Sequence, residues 1–138
     1  MLANLIDEAR EELLLVSYAT YPGERVRAAL DEAVARNVKI TTLLERPADN
    51  PSFGGHADPF AYLAVKRLSW PAPDRPAGAA MHAKVLVVDR TTALVGSANL
   101  TGHGLERNLE CGLLIQGGPT PRAIAEHLLH LPSLREIP

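Results

Sequence analysis

MHAKVLVVDRTTALVGSAN, Met81 to Asn99, is the stretch whose reading decides the fold. His82 and Lys84 stand two apart, ahead of the apolar run Val85–Val88. Asp89 opens a polar turn, a second apolar run covers Ala93–Val95, and Gly96-Ser97-Ala98-Asn99 stops it. Two short apolar runs joined by a polar turn predict a hairpin, with strands over 82–88 and 93–96. Side chains alternate faces along a strand, so His82 and Lys84 share one face and Asp89 points to the other. A strand needed only for a core has no use for an imidazole and an ammonium at its start. Asp89 is better read as a hairpin residue that binds nearby backbone or a basic group.

Those residue types suit a phosphate. An imidazole supplies a nucleophile or acid, an ammonium neutralises the non-bridging oxygens, and the Ser97 hydroxyl and Asn99 amide orient them. Gly96 lets backbone approach closely. Farther on, Glu110 is polar inside an otherwise apolar strand predicted over 109–115. In this reading its carboxylate accepts the Nδ1 proton of His82, which frees Nε2 to attack phosphorus.

Outward from this stretch, Leu2–Glu12 has helical spacing, Leu13–Tyr18 reads as a buried strand, and Glu24–Arg36 is helical again. Asn37 is suited to end that helix, and Val38–Leu44 is a second strand. Strand, helix and strand at this spacing make a parallel βαβ unit. Glu45–Pro59 is a long loop, Phe60–Val65 a short helix, Arg67–Trp70 a short strand, and residues 70–80 a second loop. Residues 97–107 are irregular, and a last helix covers 121–130. The class is α/β, a mixed central β-sheet flanked by helices, in one domain over residues 1–138.

Composition narrows the function. With 46% hydrophobic and 22% charged residues, the chain is neither disordered nor fibrous. Aromatics at 4% argue against a base-stacking platform. Net charge is −2, yet Lys66, Arg67, Arg75, Lys84 and Arg90 face only Asp74 and Asp89 over residues 66–90, which points to an anionic substrate. The single cysteine, Cys111, lies in the apolar run LECGLLI and reads as a small core residue of a protein outside any oxidising compartment. The acidic N-terminal stretch is no signal peptide, and no apolar run has the length of a membrane span. A cytoplasmic protein with no membrane association is expected. His56, Asp58, His103, His127 and His130 lack compact ligand spacing, so no metal site is expected.

His82-x-Lys84-x4-Asp89-x6-Gly96-Ser97-x-Asn99 resembles the HKD motif of the phospholipase D superfamily at each of its six defining positions. Glu110 matches the acidic residue that usually follows, and the βαβ unit is similar to the first unit of that fold, so the resemblance spans nearly the whole chain. In overall character the sequence is also similar to the phospholipase-D-like component of DISARM anti-phage systems. The resemblance implies a metal-independent phosphodiesterase that needs no cofactor and works through a phosphohistidine. His82, Lys84, Asn99 and Glu110 are then catalytic. Lys84, Ser97 and Asn99 hold the phosphate, and Asp89 and Gly96 are structural members of the motif. Family members build one site from two motifs, and this chain has one. A homodimer sharing a site across a two-fold axis is therefore implied. One imidazole attacks phosphorus; the other protonates the leaving oxygen and then activates water.

The expected activity is a nuclease, with DNA as substrate and with defence-complex proteins as further partners. Two rivals stand beside it. One is a phospholipid phosphodiesterase, against which the acidic polar face of the first helix counts. The other is a non-catalytic nucleic-acid-binding module of a defence complex, against which the net charge and scarce aromatics count.

Overall fold

Leu13–Val16 lies between acids and irregular chain, yet all four residues are buried. The reason is its position: a continuous apolar run suits a strand covered on both faces. The computed structural model describes residues 1–18, 20–54, 58–101 and 108–138. Among them are three α-helices, α1 (Leu2–Glu8), α2 (Glu24–Ala35) and α3 (Thr120–Leu129), and a 3-10 turn at Ala72–Asp74. The strands are β1 (Glu12–Ser17), β2 (Thr20–Tyr21), β3 (Lys39–Leu44), β4 (Lys66–Ser69), β5 (Val85–Val88), β6 (Thr92–Gly96), β7 (Leu100–Thr101), β8 (Gly112–Gln116) and β9 (Arg135–Ile137). Seven of them form a mixed sheet in the order β8-β6-β5-β1-β3-β4-β9, and β2 and β7 pair separately. β1, β3 and β4 run parallel, and the other neighbours in the large sheet are antiparallel.

Alternation along the strands divides the core in two. Leu13, Leu15, Ile40, Leu86 and Val88 pack with Ile6, Val26 and Leu30 of α1 and α2. Leu14, Val16, Leu43, Val85 and Val87 pack on the opposite face with Ile124, Ala125 and Leu128 of α3. Helix α2 ends as its sequence predicts. Asn37 has a φ of 63°, its N–H reaches Val34 O, and the Val38 N–H reaches Ala33 O, which closes a Schellman motif.

Five elements differ from the sequence expectation. The strand expected over 109–115 begins only at Gly112, so Glu110 lies ahead of β8 rather than within a strand. Helix α1 stops at Glu8 instead of Glu12 because the N–H groups of Arg10, Glu11 and Glu12 bind the Asp89 carboxylate at 2.8–2.9 Å rather than helical carbonyls. Phe60–Val65 is a series of turns: the Arg67 guanidinium binds the carbonyls of Phe60, Leu63 and Val65, and the backbone bonds there run from Leu63 N–H to Phe60 O and from Val65 N–H to Leu63 O rather than in helical register. The strand expected over 82–88 joins the ladder only at Val85, opposite Val16 of β1. Strand β9 was not expected; it adds antiparallel to β4 and closes that edge of the sheet.

The β5–β6 connection has three residues between the paired Val88 and Thr92, and the Thr91 N–H bonds Val88 O around a turn whose central residues, Asp89 and Arg90, have φ of 49° and 54°. Both central residues left-handed make it type I′, the turn whose twist matches its strands. That geometry is uncommon without glycine. The three N–H bonds to Asp89 help hold it.

Candidate active site

β5 runs antiparallel to β1, so its start lies beside the C-terminal end of β1. The end of β6 and the start of β8 meet at the same edge, where Gly96 pairs with Gly112. The end of β3 lies there as well. Ligand crevices in α/β sheets form outside such strand ends. This edge receives Tyr18, His82, Lys84, Ser97, Asn99 and Glu110.

His82 and Lys84 come together. Lys84 Nζ donates to the His82 carbonyl at 2.6 Å and lies 2.9 Å from His82 Nδ1 and 3.3 Å from Nε2. An ammonium has no lone pair, so the ring nitrogen it binds must present one. Sequence reasoning passed over Tyr18. Its ring packs against the His82 ring, centroids 4.7 Å apart and planes at 52°, and Lys84 Nζ stands 5.8 Å from the same ring. Phe53 backs Tyr18 edge-on at 5.1 Å. The available signal was position: Tyr18 directly follows a buried strand, where a side chain projects into the crevice.

Ser97 and Glu110 form the second pair. Ser97 Oγ donates to Glu110 Oε2 at 2.5 Å and accepts the Cys111 N–H at 3.1 Å, and the Ser97 N–H reaches Cys111 O at 3.0 Å. The expected bond from His82 Nδ1 to Glu110 is absent within the chain. Lys84 occupies the imidazole and Ser97 occupies the carboxylate. Glu110 nevertheless acts on the pair through its charge. Burial pulls the Lys84 ammonium below its ordinary value, and the Glu110 carboxylate partly offsets that shift.

Gly96 is held to glycine by packing. A Cβ there would stand 2.9 Å from Cys111 O and 3.0 Å from the Gly112 Cα, so β6 and β8 approach as closely as they do because neither carries a side chain at this pair. Lys84, Asn99 and Glu110 share a cavity of about 380 Å3 whose other walls include Leu15, Leu86 and Leu94. Cys111 is exposed rather than a core residue, since it lies just ahead of β8, an edge strand.

Asp89 is not part of this cluster. It sits past the far end of β5 and binds only backbone N–H groups at the start of β1. The basic segment is likewise not a basic surface. Lys66 pairs with Glu136, Arg67 with Asp58, Arg75 with Glu45, and Arg90 with Glu12 and Glu126. These ion pairs neutralise the charge that composition suggested, and of the five basic residues in that segment Lys84 is directed at the site. Among the described residues no group of three or more His, Cys, Asp or Glu side chains is placed to hold a metal ion. His56 and His103 lie outside the described residues. Among the described residues no helix is long and apolar enough to cross a membrane.

The sequence matches the family described as "Cardiolipin synthase, PLD-like domain" over residues 2–131. Cardiolipin synthase A of Pseudomonas aeruginosa is 33% identical over 107 residues, which covers 78% of this chain and 21% of that protein. The chain thus spans only about a fifth of that curated relative's length. Two solved structures share the fold. One is Nuc from Salmonella typhimurium, described as a phospholipase D family member, with a TM-score of 0.77, 21% identity, and coverage of 99% of this chain and 88% of that one. The other is NucT from Helicobacter pylori, with a TM-score of 0.74, the same identity and the same coverage.

Proposed function

The chain belongs to the PLD-like domain family, and from that premise we propose that it is a phosphodiesterase acting through a phosphohistidine at His82, with no metal or other cofactor. The observation that carries the reading is the pairing of His82 with Lys84 at the sheet edge where Asn99 and the Ser97–Glu110 pair also converge. A phosphate entering beside Lys84 draws the ammonium from the imidazole to a non-bridging oxygen, because the anion is the stronger acceptor. The freed ring nitrogen then attacks phosphorus, forming an N–P bond as the P–O bond to the leaving group breaks. A second imidazole protonates that oxygen and afterwards takes a proton from the water that cleaves the N–P bond.

The second imidazole comes from a second copy of the chain. The motif occurs once in the 138 residues. The cavity beside Lys84 is bordered by Gly112 of edge strand β8, where Leu114, paired with the cavity wall Leu94, is 37% exposed, and Leu109, three residues ahead of β8, is fully exposed. A two-fold partner over this face covers those leucines and brings the two His82 side chains across one phosphate. Light scattering should report about twice the 14.9 kDa chain mass.

The substrate assigned is nucleic acid, DNA in the first instance. The similarity in fold to Nuc and NucT, each covered over 88% of its length, supports a small single-motif enzyme of that build. A phospholipid diester is the second reading. It is favoured by the identity to cardiolipin synthase A and by the leucine walls of the cavity next to Lys84. A cytoplasmic location and association with a defence complex rest on the sequence alone. The deciding experiment compares oligonucleotide and phospholipid vesicle as substrates for the wild-type chain and for His82→Ala, with and without a chelator. Oligonucleotide cleavage that survives the chelator and vanishes in the variant supports the assignment. Activity on vesicles alone moves it to lipid, and turnover by the variant removes it. Phosphate-diester binding without turnover by the wild-type chain makes the protein a binding module.

A further inference from the structure

His82 lies three positions ahead of β5, so the ladder does not fix its backbone. Besides the Lys84 bond to the His82 carbonyl, the backbone just ahead of His82 is bound by a buried ion pair that the phosphohistidine chemistry does not use. Glu45 follows the last residue of β3, and its side chain is 0% exposed; Arg75, in the loop before His82, is 3% exposed. The two form a bidentate fork, Nη2 to Oε1 at 2.7 Å and Nη1 to Oε2 at 2.9 Å. Asn50 Nδ2 donates to Oε2 at 3.1 Å, and the Arg46 N–H reaches Oε1 at 3.3 Å. Oε2 also accepts the N–H of Met81, the residue adjoining His82, at 3.0 Å. Arg75 in turn donates from Nε to Trp70 O at 2.7 Å and stacks its guanidinium 4.9 Å from the Trp70 ring.

One carboxylate therefore ties together the loop after β3, the loop after β4 and the backbone that presents His82. Burial raises the Glu45 carboxyl, but the bonds from Arg75, Met81 and Asn50 and the Arg75 charge outweigh it, so the group stays below its usual range and ionised. Stability alone does not account for the pair, since well-packed apolar residues commonly replace a buried ion pair at no loss. We infer that Glu45, held by Arg75, is a positioning residue that sets His82 for attack by fixing the Met81 N–H. The inference rests on the phosphodiesterase reading for its catalytic consequence and on the hydrogen bond itself for its structural one.

Two double variants separate positioning from packing. Glu45→Met/Arg75→Met gives an apolar pair with no acceptor for Met81. Glu45→Gln/Arg75→Met restores an acceptor oxygen without the charges. With bis(p-nitrophenyl) phosphate as probe, the first should lose about 10- to 100-fold in kcat per folded chain with KM nearly unchanged, since small misplacements of a reacting group cost that much. The second should recover most of the loss. Amide exchange followed by NMR should show Met81 protected in the wild type and in the Gln variant, and exchanging freely in the Met variant. Wild-type kcat in the Met variant, or equal losses in both variants, overturns the inference. So does a freely exchanging Met81 amide in the wild-type chain, a measurement that needs no variant to fold. If the wild-type chain does not hydrolyse the diester, the functional reading fails, and the exchange data still judge the clamp.

Discussion

Asp89 is a member of the sequence motif, but the structure gives it work far from the phosphate site, and Asp89→Ala measures that separation. Its carboxylate accepts three backbone N–H groups, from Arg10 at 2.9 Å, Glu11 at 2.8 Å and Glu12 at 2.9 Å. Hydrogen bonds to a charged group are worth about 1.5–3 kcal/mol each when buried, and exposure at the start of β1 reduces that to roughly 1 kcal/mol apiece. Alanine at a φ of 49° adds about 1 kcal/mol of backbone strain. The expected loss is therefore ~3–4 kcal/mol, or about 10 °C in Tm for a chain of this size. Asp89→Asn keeps an acceptor oxygen and tolerates the left-handed turn, so it should lose about half as much. Urea titration and thermal melting give the stability, and kcat on bis(p-nitrophenyl) phosphate, corrected for folded fraction, gives the activity. The kcat should stay within about 3-fold of wild type, because sites this far apart couple weakly. A variant with unchanged Tm and a kcat reduced by about 100-fold would place Asp89 in the reaction and refute the reasoning.

Gly96→Ala should destabilise by about 1–3 kcal/mol and lower activity, because its Cβ meets the Cys111 carbonyl at 2.9 Å and pushes β8 and Glu110 away; a melting curve that overlays the wild type contradicts the packing argument. Lys84 loses its proton below its usual 10.5 because burial disfavours the ammonium. The folded chain then binds fewer protons than the unfolded one between the lowered value and 10.5, so this group's contribution to stability rises with pH across that window while phosphate affinity falls. KM for the diester should climb with pH below 10.5, and Lys84→Arg should move that limb upward; a flat KM, or the same limb in both proteins, rules the role out. Tyr18→Leu removes the ring against His82, and kcat should fall about 10-fold with stability changed by roughly 1 kcal/mol; an unchanged kcat would make the ring contact incidental.

The sequence made the sheet legible where pattern follows burial. Leu13–Val16, covered on both faces, reads as a buried strand and is one, and Asn37 marks the end of α2 because few residues accept its φ. His82 and Lys84 were legible as a pair because alternation places both on one face. The rest depended on contacts distant in sequence. Nothing within Leu2–Glu12 indicates that Asp89, on the far side of the chain, captures the N–H groups that would have extended α1. The basic segment misled because charge counting does not show partners: Glu45, Asp58, Glu12 and Glu136 neutralise it. Glu110 stands out as a polar residue in an apolar run, but it lies ahead of β8 and its partner in the chain is Ser97, thirteen positions away. Glu45 looked like the first residue of a loop, and only the fold brings Arg75 and Met81 to it.

The most direct test is to quench the wild-type chain during turnover of a phosphodiester and measure phosphoryl groups per chain by mass spectrometry under conditions that preserve phosphohistidine. A covalent intermediate shared across a two-fold axis predicts an adduct on the His82 peptide at about one phosphoryl group for every two chains. An adduct on another residue, or one on every chain, would contradict the account, as would continued turnover with no adduct at all.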